Sequence, residues 1–140
     1  MWTESQTIIE SCENLNINCE KLSNLKFFKP NILEFFSDGV IFGGDLKDAK
    51  WVSIGGSIEI LKTYALSEKH IIFFDESNDK SALVFDDISD VIRAVYESPR
   101  MDFFIADIEF KYIIYYNRHD RLGLSGISKD WLPSIEFNLR

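Results

Sequence analysis

The sequence predicts an α+β fold in a single domain, residues 1–140: a mainly antiparallel sheet with a C-terminal meander and three to four helices packed on it. Three observations lead there. A length of 140 residues falls within the ~100–200 residues of one domain. Apolar residues make up 46% and aromatics 14%, enough for a core that needs no metal or disulfide staple and too many for a disordered chain. Three β-rich segments follow one another closely between residues 102 and 125. That spacing favours antiparallel pairing, because a parallel pair needs a crossover of roughly a dozen residues or more.

The elements follow in chain order. Thr3-x-x-Gln6 is a capping-box pattern ahead of Ile8, Ile9, Cys12 and Leu15, which share one helical stripe and predict a helix over 4–15. A short strand is expected around 25–28. Pro30 opens a short helix over 31–37, stopped by Asp38-Gly39. Residues 40–42 and 51–54 are short apolar segments with strand character, separated by Gly43-Gly44-Asp45. Ser57 is placed to cap a helix through Ile58, Leu61, Tyr64 and Ala65. Residues 70–74 and 81–85 are β-branched and aromatic runs joined by a polar loop, which reads as a hairpin. Asp86 or Asp87 is expected to cap a helix carrying Ile88, Val91, Ile92 and Val95 and ending before Pro99. Strands over 102–107, 110–117 and 121–125 form the meander. Ser128 caps a last turn that packs Trp131 and Leu132 before Pro133.

Few motifs carry chemistry. Gly55-Gly56-Ser57 lacks both phosphate-binding glycine frames and reads as a tight turn. Gly123-Leu124-Ser125-Gly126 is not a nucleophile elbow, because position 127 is Ile127 rather than glycine. The histidines, His70 and His119, and the cysteines, Cys12 and Cys19, show no zinc-ligand spacing, and the 75–80 loop lacks the rhythm and glycine of a calcium loop. No metal and no cofactor is expected. His119-Asp120 could transfer protons, a carboxylate raising the basicity of the imidazole, although Asn117 and Asp120 are also ordinary turn residues.

The start, Met1-Trp2-Thr3-Glu4, has neither the basic nor the apolar region of a secretory signal, and no apolar run approaches the ~18 residues of a membrane span. On one helix Cys12 and Cys19 would share a face roughly 10 Å apart, too far for a bridge, and act as small core residues. The expectation is a reduced, cytoplasmic protein without a membrane partner.

Charge is more informative. The net charge is −8, and its excess is concentrated. Residues 1–20 carry four acids and no base, and residues 75–109 carry ten acids against three bases. Such a field repels nucleic acid and favours a basic partner. Carboxylates at a helix N-terminus stabilise its dipole by roughly 0.3–1 kcal/mol each, which accounts locally for Asp86, Asp87 and Asp90. It leaves Asp75, Glu76 and Asp79 unexplained. If both trios face one way, they form a carboxylate patch suited to Lys and Arg side chains.

The block from Asp102 to Asp107, the run from Tyr112 to Asn117 with His119 and Asp120, and Gly123-Leu-Ser-Gly126 together resemble small bacterial immunity proteins of polymorphic-toxin (contact-dependent inhibition) systems, over about residues 70–131. The resemblance implies a cytoplasmic α+β protein that binds and neutralises a cognate toxin without catalysis of its own. Combined with the charge, it points to a basic toxin domain as partner, a nuclease fitting best because such an enzyme must be positive where it holds phosphates. The expected binding residues are Asp75, Glu76, Asp79, Asp86, Asp87, Asp90, Asn117, His119 and Asp120, with Tyr64 or Tyr96 as aromatic anchors. A monomer is favoured. The alternatives are a regulatory or scaffold module and a small enzyme using His119 and Asp120.

Overall fold

A computed structural model describes residues 3–65 and 68–139. Its frame is a seven-stranded sheet in which every pairing is antiparallel, so the α+β expectation holds. The strands are β1 (Cys19–Leu22), β2 (Lys50–Ser53), β3 (His70–Phe73), β4 (Ala82–Phe85), β5 (Phe103–Asp107), β6 (Ile113–Asn117) and β7 (Arg121–Leu124), and their spatial order is β1-β4-β3-β5-β6-β7-β2. The β3–β4 hairpin and the β5–β6–β7 meander lie close to where the apolar runs and the polar turns between them predict. The sheet therefore has two edges: β1, where the sequence predicts no strand, and β2, which begins one residue before the strand-like segment at 51–54.

Five α-helical segments surround the sheet: α1 (Glu4–Leu15), α2 (Lys29–Leu33), α3 (Leu61–Tyr64), α4 (Ile88–Glu97) and α5 (Leu132–Asn138). One sheet face buries Ile72, Phe85, Phe103, Ile105 and Ile114 against Ile8 of α1, Leu61 of α3, Val91 and Ile92 of α4 and Ile135 of α5. The opposite face buries Ile71, Phe73, Phe104 and Tyr115 under Ile32 of α2 and the long segment that follows it, with Phe36 and Ile41 inserted. Both faces being covered explains why β3 is buried at every position instead of alternating. The predicted capping box forms: the Thr3 hydroxyl accepts from the Gln6 amide, and the Gln6 side chain accepts from the Thr3 amide.

Several expectations are corrected. Residues 25–28 form a turn rather than a strand: Leu25 anchors the second core while Phe27 is 83% exposed, a pattern of single contacts and not of pairing. The helix expected over 31–37 is α2, four residues shorter at its end, and residues 40–42 join no strand, although the Ile41 carbonyl accepts from the Glu76 amide at 3.1 Å. Ser57 makes no cap; a short 3-10 turn over Ile58–Ile60 leads into α3 instead. Asp87 occupies the N-cap position of α4 but makes no side-chain cap bond. Pro133 sits in the first turn of α5 and starts that helix, since a missing N–H is harmless there. Cys12 and Cys19 are not on one helix: α1 ends at Leu15, Asn16 adopts the left-handed conformation at φ 55°, and Cys19 opens β1.

Candidate functional site

The register fixes which ends of the strands meet. Phe85, His70, Asp107 and Cys19 align across β4, β3, β5 and β1, so they mark one end of the sheet. The 75–80 loop lies at the other end, alongside the β6–β7 turn. Asp86, Asp87 and Asp90 therefore sit at the end opposite Asp75, Glu76 and Asp79, with the length of β4 between them. The single patch containing both trios does not form, because a hairpin strand must separate its loop from its exit.

The loop trio is spent on the fold itself. Asp79 is buried; its Oδ2 accepts from the Ser5 amide of α1 and its Oδ1 from the Ser81 amide, both at 2.9 Å. Burial alone would raise its pKa, but the hydrogen bonds from Ser5 and Ser81 outweigh it and hold the carboxyl below its usual value. Asp79 is thus a cap brought to α1 from far along the chain. Asp75 Oδ1 accepts from the Gly43 amide at 3.0 Å and ties the long segment to the sheet. Burial, chiefly, raises its pKa. Glu76 pairs with Lys29 of α2 at 2.7 Å.

The second trio is the reverse. Asp86 is exposed and has no ion-pair partner among the described residues. Asp87 keeps its carboxylate out of the helix cap, and Asp90 has only Arg93 at 3.7 Å. Two acids that the sequence reading did not single out join them. Glu20 of β1 shares with Asp86, Asn18, Cys19, Lys69 and Val84 a cleft of about 140 Å3, and Glu13 of α1 lies, with Asp90, near enough to Cys12 to act on its thiol. The signal for both was present in the base-free first twenty residues, but it needed β1, whose Cys-Glu-Lys-Leu does not read as a strand.

The turn from Asn117 to Asp120 is built by its own polar groups. Asn117 Oδ1 accepts from the His119 amide at 2.9 Å, and Asp120 takes the left-handed conformation at φ 60°. Both Asp120 carboxylate oxygens are occupied: the Tyr116 hydroxyl donates to Oδ1 at 2.8 Å, and Arg100 pairs with Oδ2 at 2.9 Å. Burial and then Asp120 push the Tyr116 pKa up to about 12. Asp120 and Tyr116 line, with Gly56, Val95, Tyr96 and Arg100, a cleft of about 180 Å3, whereas the exposed His119 lies outside its lining. The alternative His119–Asp120 proton-transfer pair is not assembled here, because Asp120 is turned toward Tyr116 and Arg100.

Of the two candidate anchors, Tyr64 is half-buried, stacked on Trp131 and hydrogen-bonded to Ser134 at 2.7 Å, so it supports α5. Tyr96 is exposed, but it sits nine residues beyond Asp87 on α4, roughly 14 Å along the helix axis. His70 is a core residue. Its Nδ1–H donates to the Glu68 carbonyl at 2.8 Å, which leaves Nε2 to accept from the Tyr112 hydroxyl, and burial lowers its pKa. Among the described residues no three His, Cys, Asp or Glu side chains converge as a metal site, and no helix is long and apolar enough to cross a membrane. Comparison with protein-family models, curated proteins and solved structures finds no match to this chain.

Proposed function

We propose that this chain is a non-catalytic binding protein of the immunity type, acting in the cytoplasm, which covers a basic surface of a cognate toxin domain with carboxylates at the β1 edge of its sheet. The observation that carries the reading is the contrast between the two acidic trios. Asp75, Glu76 and Asp79 are consumed by internal hydrogen bonds and an ion pair. Asp86, Asp87 and Asp90, with Glu13 and Glu20 beside them, are left without strong internal partners. Like charges gathered with only Arg93 and Lys69 near them cost folding energy, and a surface of that sign favours encounter with a basic partner. A toxin that holds phosphates presents the matching positive surface.

The test is affinity capture from the source cells, read by mass spectrometry, with wild type and a D86K/D87K/D90K variant as baits. A basic protein retained by the wild type and lost from the variant supports the reading. Equal recovery with both baits, or no basic protein at all, contradicts it. His119→Ala should leave that capture intact, whereas an enzyme built on His119 and Asp120 would lose activity and keep its partners.

A further inference from the structure

Cys12 and Cys19 lie seven positions apart in sequence and meet in the fold. The left-handed Asn16 ends α1, and the Ile17 amide donates back to the Cys12 carbonyl at 2.8 Å. The chain thus returns beside the turn it has just left, and Cys19 enters β1 opposite Phe85, on the sheet face that receives α1. Both cysteines are free, and both pack in the same apolar cluster. Cys12 is buried. Cys19 is half-buried and lines the cleft of about 140 Å3 next to Glu20 and Asp86, so a reagent in solution reaches it first.

From this placement we infer that Cys12 and Cys19 form a modification site, a reversible intrachain disulfide made by low-molecular-weight disulfides such as oxidised glutathione, which fastens the last turn of α1 to edge strand β1. The left-handed turn at Asn16 sets both side chains in one cluster, from which side-chain adjustment closes the ~2.05 Å bond. In the first step the Cys19 thiol gives its proton to water, and the thiolate attacks one sulfur of oxidised glutathione. The Cys19–glutathione bond forms, the glutathione S–S bond breaks, and one glutathione thiolate leaves. Cys12, deprotonated in turn, attacks the Cys19 sulfur; the Cys12–Cys19 bond forms and the second glutathione departs. The protein gives up two protons and two electrons, and one oxidised glutathione becomes two thiols. The interaction with Cys12, then burial, holds the Cys19 thiol well above its usual range, and the same interaction lowers buried Cys12, so the pair carries its first negative charge on Cys12 and the exposed Cys19 attacks only as pH rises.

The experiment treats the folded chain with oxidised glutathione at mildly alkaline pH and follows free thiols, intact mass and non-reducing electrophoresis. The expected result is a fall from two thiols per chain to none, a mass lower by two hydrogens with no glutathione retained, a monomeric band, and full recovery with dithiothreitol. Peptide mapping should assign the bridge to Cys12–Cys19 in the wild type, which needs no variant to fold. Cys12→Ala, checked for native circular dichroism, should stop at one glutathione on Cys19. Wild-type protein that keeps both thiols, retains glutathione on Cys19, or forms a bridge between two chains overturns the proposal.

Discussion

Asp79 shows how much a single carboxylate can do when it reaches across the chain. It stands far along the sequence from Ser5, yet its two oxygens serve the N-terminus of α1 and its own loop together. Asp79→Ala leaves the Ser5 and Ser81 amides without these partners and should cost about 2 kcal/mol in urea unfolding. His70 is the second residue whose environment has a measurable signature. Burial lowers its folded pKa below the ordinary 6.5, so the unfolded chain binds a proton that the folded chain refuses. Its contribution is complete above that value and declines as pH falls through 6.5 toward the lower folded value. Wild-type stability should therefore drop between about pH 7 and pH 5, and His70→Gln should flatten that slope. Asp79, held below the usual carboxylate range, adds its own loss only at more acidic pH. The fate of Asp79 was not legible in the sequence, since nothing local to the loop shows that α1 arrives beside it. That His70 is structural was legible, because it opens an unbroken β-branched and aromatic run.

At the level of elements, legibility followed periodicity. α1 and α4 carry clean apolar stripes, β3 to β6 carry dense β-branched and aromatic runs, and β7 follows β6 after a short polar turn, so they lie close to the predicted positions. The two edge strands, β1 and β2, bury little and carry charge, as edges do to discourage pairing with other chains, and so they lack the apolar signal of the centre. The sequence block Gly123-Leu124-Ser125-Gly126 likewise has a physical account that only the pairing supplies. Trp51 of β2 lies across Gly123, its register partner, where an added Cβ would come within 2.9 Å of the indole. Arg121 stands over the same ring at 5.4 Å. Gly126 is left-handed at φ 62°, and an added Cβ would stand 2.4 Å from the Lys111 carbonyl oxygen. Gly126→Ala must strain the backbone as well as displace a neighbour, and should cost at least about 2 kcal/mol by urea denaturation. Gly123→Ala meets only the far side of a half-exposed indole and should cost less.

For the whole molecule the question is where the net charge of −8 resides. The two acidic trios look equivalent in the sequence, and dipole arguments assign the local role to Asp86, Asp87 and Asp90. The fold inverts that assignment, because the loop trio is drawn into caps and ties, while Asp86 is exposed and Asp87 and Asp90 are half-buried near Glu13 and Glu20, with only Arg93 paired to Asp90. Hydrophobic pattern predicts a sheet, but it does not say which carboxylates tertiary hydrogen bonds will consume. Losing the dipole interactions of Asp87 and Asp90 should cost the D86K/D87K/D90K variant no more than about 2 kcal/mol, so it should remain folded for kinetic work. The equal charge change in D130K/E136K/E59K, away from the β1 edge, separates a local acidic surface from total charge. The most direct measurement is the association rate of the captured partner with wild type and both triple variants, followed as ionic strength is raised. The expected outcome is an on-rate lowered roughly ten-fold or more and a flattened salt dependence for D86K/D87K/D90K alone. Equal on-rates for wild type and D86K/D87K/D90K, or equal losses in both variants, would contradict the claim that this edge of the sheet guides binding.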